Sequence, residues 1–267
     1  MANLRSTNPS SSEIEAGLYV VATPIGNLGD ITRRALEVLG AVDAIICEDS
    51  RVTRKLLTHF SIRAPLIAYY EHNAAKVRPE LLRRLAAGQR LALVTDAGTP
   101  LISDPGYKLV DAAIGAGAKV IAIPGASAVT AALSVAGLPT DRFFFAGFLP
   151  PRSGRRRTEL AELAAVPATL VFFESPRRLG PALADMAAIL GPGRRAAVAR
   201  ELTKMFEEAR RDTLSALAAR YDEVGAPKGE IVIVVGGVQD GDIAAVDIDE
   251  ALQEALETMS VKEAAGH

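Results

Sequence analysis

Three apolar strands in this chain each run straight into a loop punctuated by glycine and proline. Residues 17–22 lead into Thr23-Pro24-Ile25-Gly26-Asn27, residues 90–95 into Asp96-Ala97-Gly98-Thr99-Pro100 and on to Gly106, and residues 119–123 into Pro124-Gly125-Ala126-Ser127. In open α/β sheets, ligands bind outside the carboxyl ends of strands. Glycine lets main chain come close to a ligand, and proline holds a loop rigid. The pattern predicts a small-molecule pocket lined largely by backbone.

From residue 17 to 124 the periodicity alternates between strand and helix. Asp30 is placed to cap a helix over 31–39. A buried strand at 44–47, a helix over 52–60 and a strand at 65–70 follow. A helix continuing through 80–87 stops at Gly88, and a strand at 91–95 and a helix over 107–116 complete the unit. Strands joined by crossover helices imply a mostly parallel sheet covered on both faces. A second unit reads as a small-residue helix over 126–136, an aromatic strand at 142–147, a Pro/Gly/Arg loop at 149–157 and a strand at 169–173. A helix over 178–190, a strand at 195–200, a helix over 214–224 and a last strand at 230–235 close it. The fold class is therefore α/β with two domains and a boundary near 124–130. The division is a disordered arm at 1–16, an N-terminal α/β domain at 17–124, a C-terminal α/β domain at 125–238 and an acidic helical tail at 239–267.

Composition narrows the function. The hydrophobic content of 49% over 267 residues supports a substantial core. A net charge of −2 argues against a surface coated for nucleic acid, though not against a local basic patch. Cys47 is the single cysteine, which excludes internal disulfides and a CxxC metal site and fits a reducing cytosol. No apolar run reaches the ~18 residues of a membrane span, and the polar start lacks a signal-peptide core. No metal constellation is present, so no metal is expected. The first loop holds one glycine where a dinucleotide fingerprint needs three. Walker-A, HExxH and GxSxG patterns are absent.

Charged residues at strand ends are the chemical candidates, each with a structural reading beside it. Glu174 and Arg177 act on substrate or pair with each other and cap the next helix. Arg200, Glu201 and Lys204 are catalytic or form a salt-bridge cluster. Asp49 and Arg51 contact substrate or cap the helix at 52–60. His72 sits in a loop where a backbone hydrogen bond is the plain alternative. Lys228-Gly229-Glu230 reads as a turn into the last strand. Arg152, Arg155, Arg156 and Arg157 form a basic cluster suited to RNA. Arg33, Arg34, Arg51, Arg54 and Lys55 lie near the first loops, and Arg177, Arg178, Arg194 and Arg195 extend the basic set. The alternative throughout is a solvated charged face.

An ordered set of short strings then carries a resemblance. These are Thr23 to Thr32 (TPIGNLGDIT), Glu48-Asp49-Ser50-Arg51, Glu71-His72-Asn73, Asp96 to Gly106, Phe145 to Pro150 (FAGFLP), Glu174-Ser175-Pro176 and Arg200 to Lys204 (RELTK). Over about residues 17–237 the chain resembles the tetrapyrrole-methylase-like (class III) S-adenosylmethionine methyltransferases. Among them it is most similar to the RsmI-type 16S ribosomal RNA cytidine 2′-O-methyltransferases. The resemblance implies two α/β domains with a cofactor cleft between them, and usually a homodimer. It implies S-adenosyl-L-methionine along Pro24, Asp96, Ala97, Gly98, Thr99, Ile102, Ser127, Ala128, Phe173 and Glu230. It implies catalysis by Glu174, Arg200, Glu201 or Lys204. Substrate contacts would come from Asn27, Asp49, Arg51, His72, Arg155, Arg156, Arg157 and Arg177.

Relatives that methylate tetrapyrroles carry GxGPG in the first loop, so TPIGN points away from that substrate. Ser50, Thr95 and Arg177 stand where the subfamily usually has Thr, Ser and His. A further small helical module is expected after Ser260 to Ala265, and this chain ends two residues later. The implied activity is cytoplasmic 2′-O-methylation of a cytidine in the decoding region of 16S rRNA, with the small ribosomal subunit as partner and no membrane. A tetrapyrrole methyltransferase and a non-catalytic ribosome-binding protein are the alternatives.

Overall fold

The computed structural model describes residues 14–238. The expected acidic tail and most of the N-terminal arm lie outside the described residues. The chain forms two compact units. One holds residues up to Ala131 together with Leu202–Met205, and the other holds Ala132–Glu201 and the residues from Phe206 onward. The α/β expectation holds for both.

Unit 1 is built on five parallel strands: β1 (Gly17–Val21), β2 (Ala44–Cys47), β3 (Leu66–Ala68), β4 (Arg90–Leu93) and β5 (Val120–Ile123), in the spatial order β3-β2-β4-β1-β5. Side chains alternate between the two faces, as period-2 strands require. Tyr19, Val21, Ile45, Cys47, Ala92 and Val94 face one way, against Ala35, Val38, Leu39 and Leu57. The first three of these come from helix α1 (Arg33–Ala41) and Leu57 from α2 (Ser50–His59). Leu18, Ala44, Ile46, Leu91 and Leu93 face the other way, against Ala74, Leu81, Leu85, Leu109 and Ala113. These belong to α3 (Ala74–Ala86) and α4 (Tyr107–Gly115). Both faces are thus covered, which is why β2 is buried at all four positions.

Two local elements differ from expectation. Asp30 does not cap α1. Thr32 does, with extended backbone and Oγ1 accepting from Ala35 N at 3.1 Å. Asp30 sits instead in a 3-10 turn, Leu28–Asp30, whose cap is Asn27. Helix α3 begins at Ala74, ahead of the expected segment, and carries Pro79 in its second turn. Helix α5 (Ala128–Ala136) then runs across the division between the units.

Unit 2 has a mixed sheet in the order β6-β7-β10-β8-β9. Its strands are β6 (Phe143–Phe148), β7 (Thr169–Glu174), β8 (Arg195–Arg200), β9 (Glu208–Thr213) and β10 (Ile231–Val235). β6 runs parallel to β7, and β10 is antiparallel to both β7 and β8. One face of the sheet, with Leu170, Phe172, Val198, Ile231, Ile233 and Val235, packs on helices α6 (Ser153–Leu163), α7 (Leu179–Leu190) and α8 (Leu214–Glu223). Burying one such side chain contributes about 1.5–3 kcal/mol, so this core dominates the unit's stability.

The segment read as an arginine loop at 149–157 is largely helix α6. Its Arg156 is buried, with a side chain 4% exposed. Nε and Nη2 bond Asp185 Oδ2 at 2.8 and 2.6 Å, and Nη1 reaches Pro151 O at 3.3 Å. Asp185 is also held by Ser153 Oγ at 2.9 Å. Arg156 therefore staples α6 to α7 and does not face a substrate. Removing one partner of a buried ion pair strands the other charge at a cost of about 3–5 kcal/mol. Arg156→Ala should lower the urea-unfolding free energy of this unit by about that amount. Exposed Arg155→Ala should change it by less than about 0.5 kcal/mol. Equal effects of the two would remove the staple from this account.

Candidate active site

In unit 1 the parallel strands deliver four loops to one edge, at the carboxyl ends of β1, β2, β4 and β5. Main-chain bonds tie these loops together. Thr23 N donates to Gly98 O at 2.8 Å and Gly98 N to Thr23 O at 3.1 Å. Thr23 Oγ1 donates to Thr95 O at 3.1 Å, and Thr99 Oγ1 to Ala126 O at 3.0 Å. Asp49 N donates to Asp96 Oδ1 at 3.2 Å. Pro24, Asp96, Ala97, Gly98, Thr99, Ile102, Ser127 and Ala128 therefore lie on loops joined by direct bonds. Pro24 and Gly98 are buried scaffold, whereas Asp96, Ala97 and Ile102 are exposed. Leu101 and Ser103 take φ of 76° and 65°, a region that costs a side-chain-bearing residue about 1–3 kcal/mol. Strain of that size persists where surrounding structure over-determines the loop.

Carboxylates crowd this edge. Asp49 caps α2, accepting from Arg51 N at 2.8 Å, and its carboxylate holds the Arg51 guanidinium at 2.6 Å. That side chain pulls the Asp49 carboxyl down to about 2. Glu48 and Asp104 go the other way. Burial and then the Asp96 charge push Glu48 up, and burial, with Asp96 adding, pushes Asp104 up. Sequence reasoning gave neither of these two a role. Their signal was position alone, one directly after β2 and the other inside the loop after β4. Among the described residues no group of His, Cys, Asp and Glu could hold a metal ion. His72 is exposed in a turn held by its neighbour Asn73, whose Oδ1 accepts from Tyr70 N at 2.8 Å. Asn27 is exposed, and its Oδ1 accepts from Gly29 N at 3.0 Å.

The last three residues of the RELTK segment complete the edge. Residues 202–205 fold with unit 1, and the alkyl chain of Lys204 lies flat on the first loop. A Cβ at Gly26 would overlap it, coming 2.7 Å from Lys204 Cε. The missing side chain at Gly26, with φ of 158°, is what lets the lysine lie there. Thr203 takes φ of 67°.

Unit 2 sets its candidates differently. Glu201, at φ 50°, pairs backbone with Glu230: Glu201 N donates to Glu230 O, and Glu201 Oε1 accepts from Glu230 N, both at 2.9 Å. A Cβ at Gly229 would overlap the Glu201 side chain, so glycine there makes room for the carboxylate. Arg200 bonds Glu208 at 3.3 Å and Lys228 O at 3.0 Å, which makes it part of the sheet's edge.

Glu174 pairs with Arg178 at 2.6 Å and not with Arg177. Its Oε1 also accepts from Ser175 N at 2.6 Å. The side chain is 1% exposed, so Glu174 shapes the turn after β7 from within and offers no open carboxylate to a substrate. Arg177 is exposed. Phe173 stacks edge-on with Phe145 and Phe148, ring centroids 4.8 and 5.5 Å apart. Arg155 and Arg157 are exposed on α6, Arg157 lying 4.0 Å from Asp185.

The raised carboxyls at Glu48 and Asp104 set a pH dependence. A folded-state value above the unfolded one means the native state binds more protons, so stability falls as pH rises from the ordinary carboxylate value of about 4. Asp104→Asn should raise the neutral-pH melting temperature, with the gain closing as pH falls toward about 4. A difference that does not change with pH would contradict the crowding described.

A family model for Tetrapyrrole (Corrin/Porphyrin) Methylases matches residues 17–218. The Ribosomal RNA small subunit methyltransferase I of Mesorhizobium japonicum is 54% identical over 252 residues, covering 94% of this chain and 86% of that protein. The protein of the same name from Escherichia coli O157:H7 is 47% identical, covering 96% and 87%. Among solved structures, uroporphyrin-III C-methyl transferase from Thermus thermophilus, complexed with S-adenyl homocysteine, superposes with a TM-score of 0.57. It is 20% identical, and the match covers 82% of this chain and 96% of that one; it speaks for the fold. The chain belongs to the tetrapyrrole methylase family and, within it, to the ribosomal RNA small subunit methyltransferase I proteins.

Proposed function

We propose that this chain is an S-adenosylmethionine-dependent methyltransferase that 2′-O-methylates a cytidine ribose in the decoding region of 16S rRNA, in the cytoplasm. Relatives at 47–54% identity over nearly the whole chain carry the small-subunit rRNA name, whereas the tetrapyrrole enzyme above is 20% identical. The observation that adds most to this is the bonded cluster of strand-end loops with Lys204 lying on the first of them.

The donor set of unit 1 fits the cofactor. The exposed Asp96 carboxylate suits ribose hydroxyls, exposed Ile102 offers apolar surface to a base, and Ser127 and Ala128 are small residues at the start of α5. When bound, S-adenosylmethionine supplies an electrophilic methyl on a sulfonium sulfur. The residues must then orient a ribose 2′-hydroxyl in line with it and stabilise the oxygen as its proton departs. Orientation alone is worth about 7–11 kcal/mol. Lys204 is the proposed charge that stabilises the developing alkoxide, and Glu201 the proposed acceptor for its proton. Glu174 and Arg200 are proposed positioning residues within unit 2. Arg177 and the exposed arginines of α6 are proposed RNA contacts. A second copy of the chain is the proposed oligomeric partner; the half-exposed Phe143, Phe144 and Phe148 on edge strand β6 offer it apolar surface.

Labelled methyl should pass from S-adenosylmethionine to small subunits from cells lacking this protein, and nuclease mapping should place it on a cytidine 2′-O. Absence of label on subunits and on free rRNA, with cofactor binding intact, would reject this acceptor. Lys204→Met keeps the alkyl packing on Gly26 and removes the charge. It should lower kcat by about 100-fold or more with cofactor affinity unchanged. A parallel loss of cofactor affinity would mean that the lysine holds the cofactor instead.

A further inference from the structure

Helix α2 carries Arg51, Arg54, Lys55, Thr58 and His59, spaced i, i+3, i+4, i+7 and i+8, which is one face of a helix. All five are exposed, and together they line one open hollow of about 500 Å³ with no apolar side chain in its wall. Arg63, just past the helix, lines an adjoining hollow with Arg54 and Thr58. Thr53 and Leu57, on the opposite face, are buried. The helix contains no acidic residue. Asp49 holds Arg51 at its first turn, but Arg54, Lys55 and Arg63 have no ion-pair partner among the described residues.

Helix α6 carries three arginines to the two of α2, but Arg156 is consumed by Asp185 and Arg157 approaches the same carboxylate. Glu159 and Glu162 lie on α6 itself. Helix α3 also carries three arginines, but Arg83 pairs with its own Glu80 and Arg84 bonds Gln89; of these three helices only α2 has no acidic residue to interrupt its positive ridge.

We propose that the outer face of α2 is a track for the RNA backbone, gripping phosphates beside the reacting nucleotide. The proposal rests on the rRNA methyltransferase reading and says which surface holds the substrate. Two features favour RNA over a protein partner. Arginine forks match phosphates and stack on bases. And the ridge starts at the candidate site, since Asp49 at its head is bonded to Asp96. From Arg51 to Arg54, Lys55 and His59 the helix rises about 12 Å, long enough to meet more than one phosphate of a backbone.

The test is binding of the full chain to small subunits across a salt series. R54E/K55E should weaken binding about tenfold or more near 0.1 M salt and make the log–log salt slope shallower by about 2. Cofactor affinity and melting temperature should be unchanged. R54A/K55A, which keeps the helix with its best former, should shift both readouts the same way by less. K76E/R83E on α3 carries the same charge change and should leave binding at the wild-type value. If R54E/K55E binds and titrates as wild type does while wild type methylates subunits, the track is overturned alone. If K76E/R83E weakens binding equally, net charge explains the effect and the track is again overturned. If wild type neither binds nor methylates subunits, the rRNA reading fails and takes the track with it.

Discussion

The arrangement in unit 1 depends on a few hydrogen bonds between loops that the sheet does not itself connect. A parallel sheet delivers strand ends to one edge but leaves the following loops free of one another. Thr23 and Gly98 exchange two main-chain bonds, and Thr23 Oγ1 adds a third to Thr95 O. Each such bond contributes about 1 kcal/mol net. Together they match the cost of holding Leu101 and Ser103 at positive φ, about 1–3 kcal/mol apiece. The loops are therefore poised: strain and bonding are of similar size, and the exposed Asp96–Ala97 peptide is the region they jointly present.

Charge is used in two ways. In unit 2 the buried carboxylates have arginine partners, Asp185 with Arg156 and Glu174 with Arg178, and these pairs set the geometry of helix and turn. At the edge of unit 1, burial first and the Asp96 charge after it push the Glu48 and Asp104 carboxyls up. The first arrangement is rigid and paired, although Glu174 Oε2 is buried without a hydrogen-bond partner. The second stores repulsion beside the proposed ligand site, as expected where structure serves binding more than stability.

Much of this was legible in the sequence. The buried strands β2 and β8 appear at their expected bounds, because continuous apolar runs between turn signals allow little else. The misses have specific causes. Strand β9 reads Glu-Ala-Arg-Arg-Asp-Thr, which has no apolar alternation; it is an edge strand, recruited by pairing with β8 and kept charged as edges usually are. Helix α6 was hidden by its polar first two turns, where Arg156 counts as surface until Asp185 is brought beside it from 29 residues away. The partner of Glu174 was misassigned because a 3-10 turn at Pro176–Arg178 carries Arg178, and not the nearer arginine, back over the carboxylate. Each miss is a tertiary contact that local pattern cannot see.

The placement of Leu202–Met205 in unit 1 has a consequence for how the protein is made. A ribosome that has released the first 131 residues has supplied all five strands of the parallel sheet. It has not yet supplied the lysine that lies on Gly26. Domains tend to fold in order as they emerge, so the sheet and its loops can form while that edge still lacks its last piece. Some 70 further residues, those of most of the second unit, must be synthesised before it arrives. A nascent chain at that stage would display the loops without Lys204, and competence for transfer would come late in synthesis, after the fold that carries it.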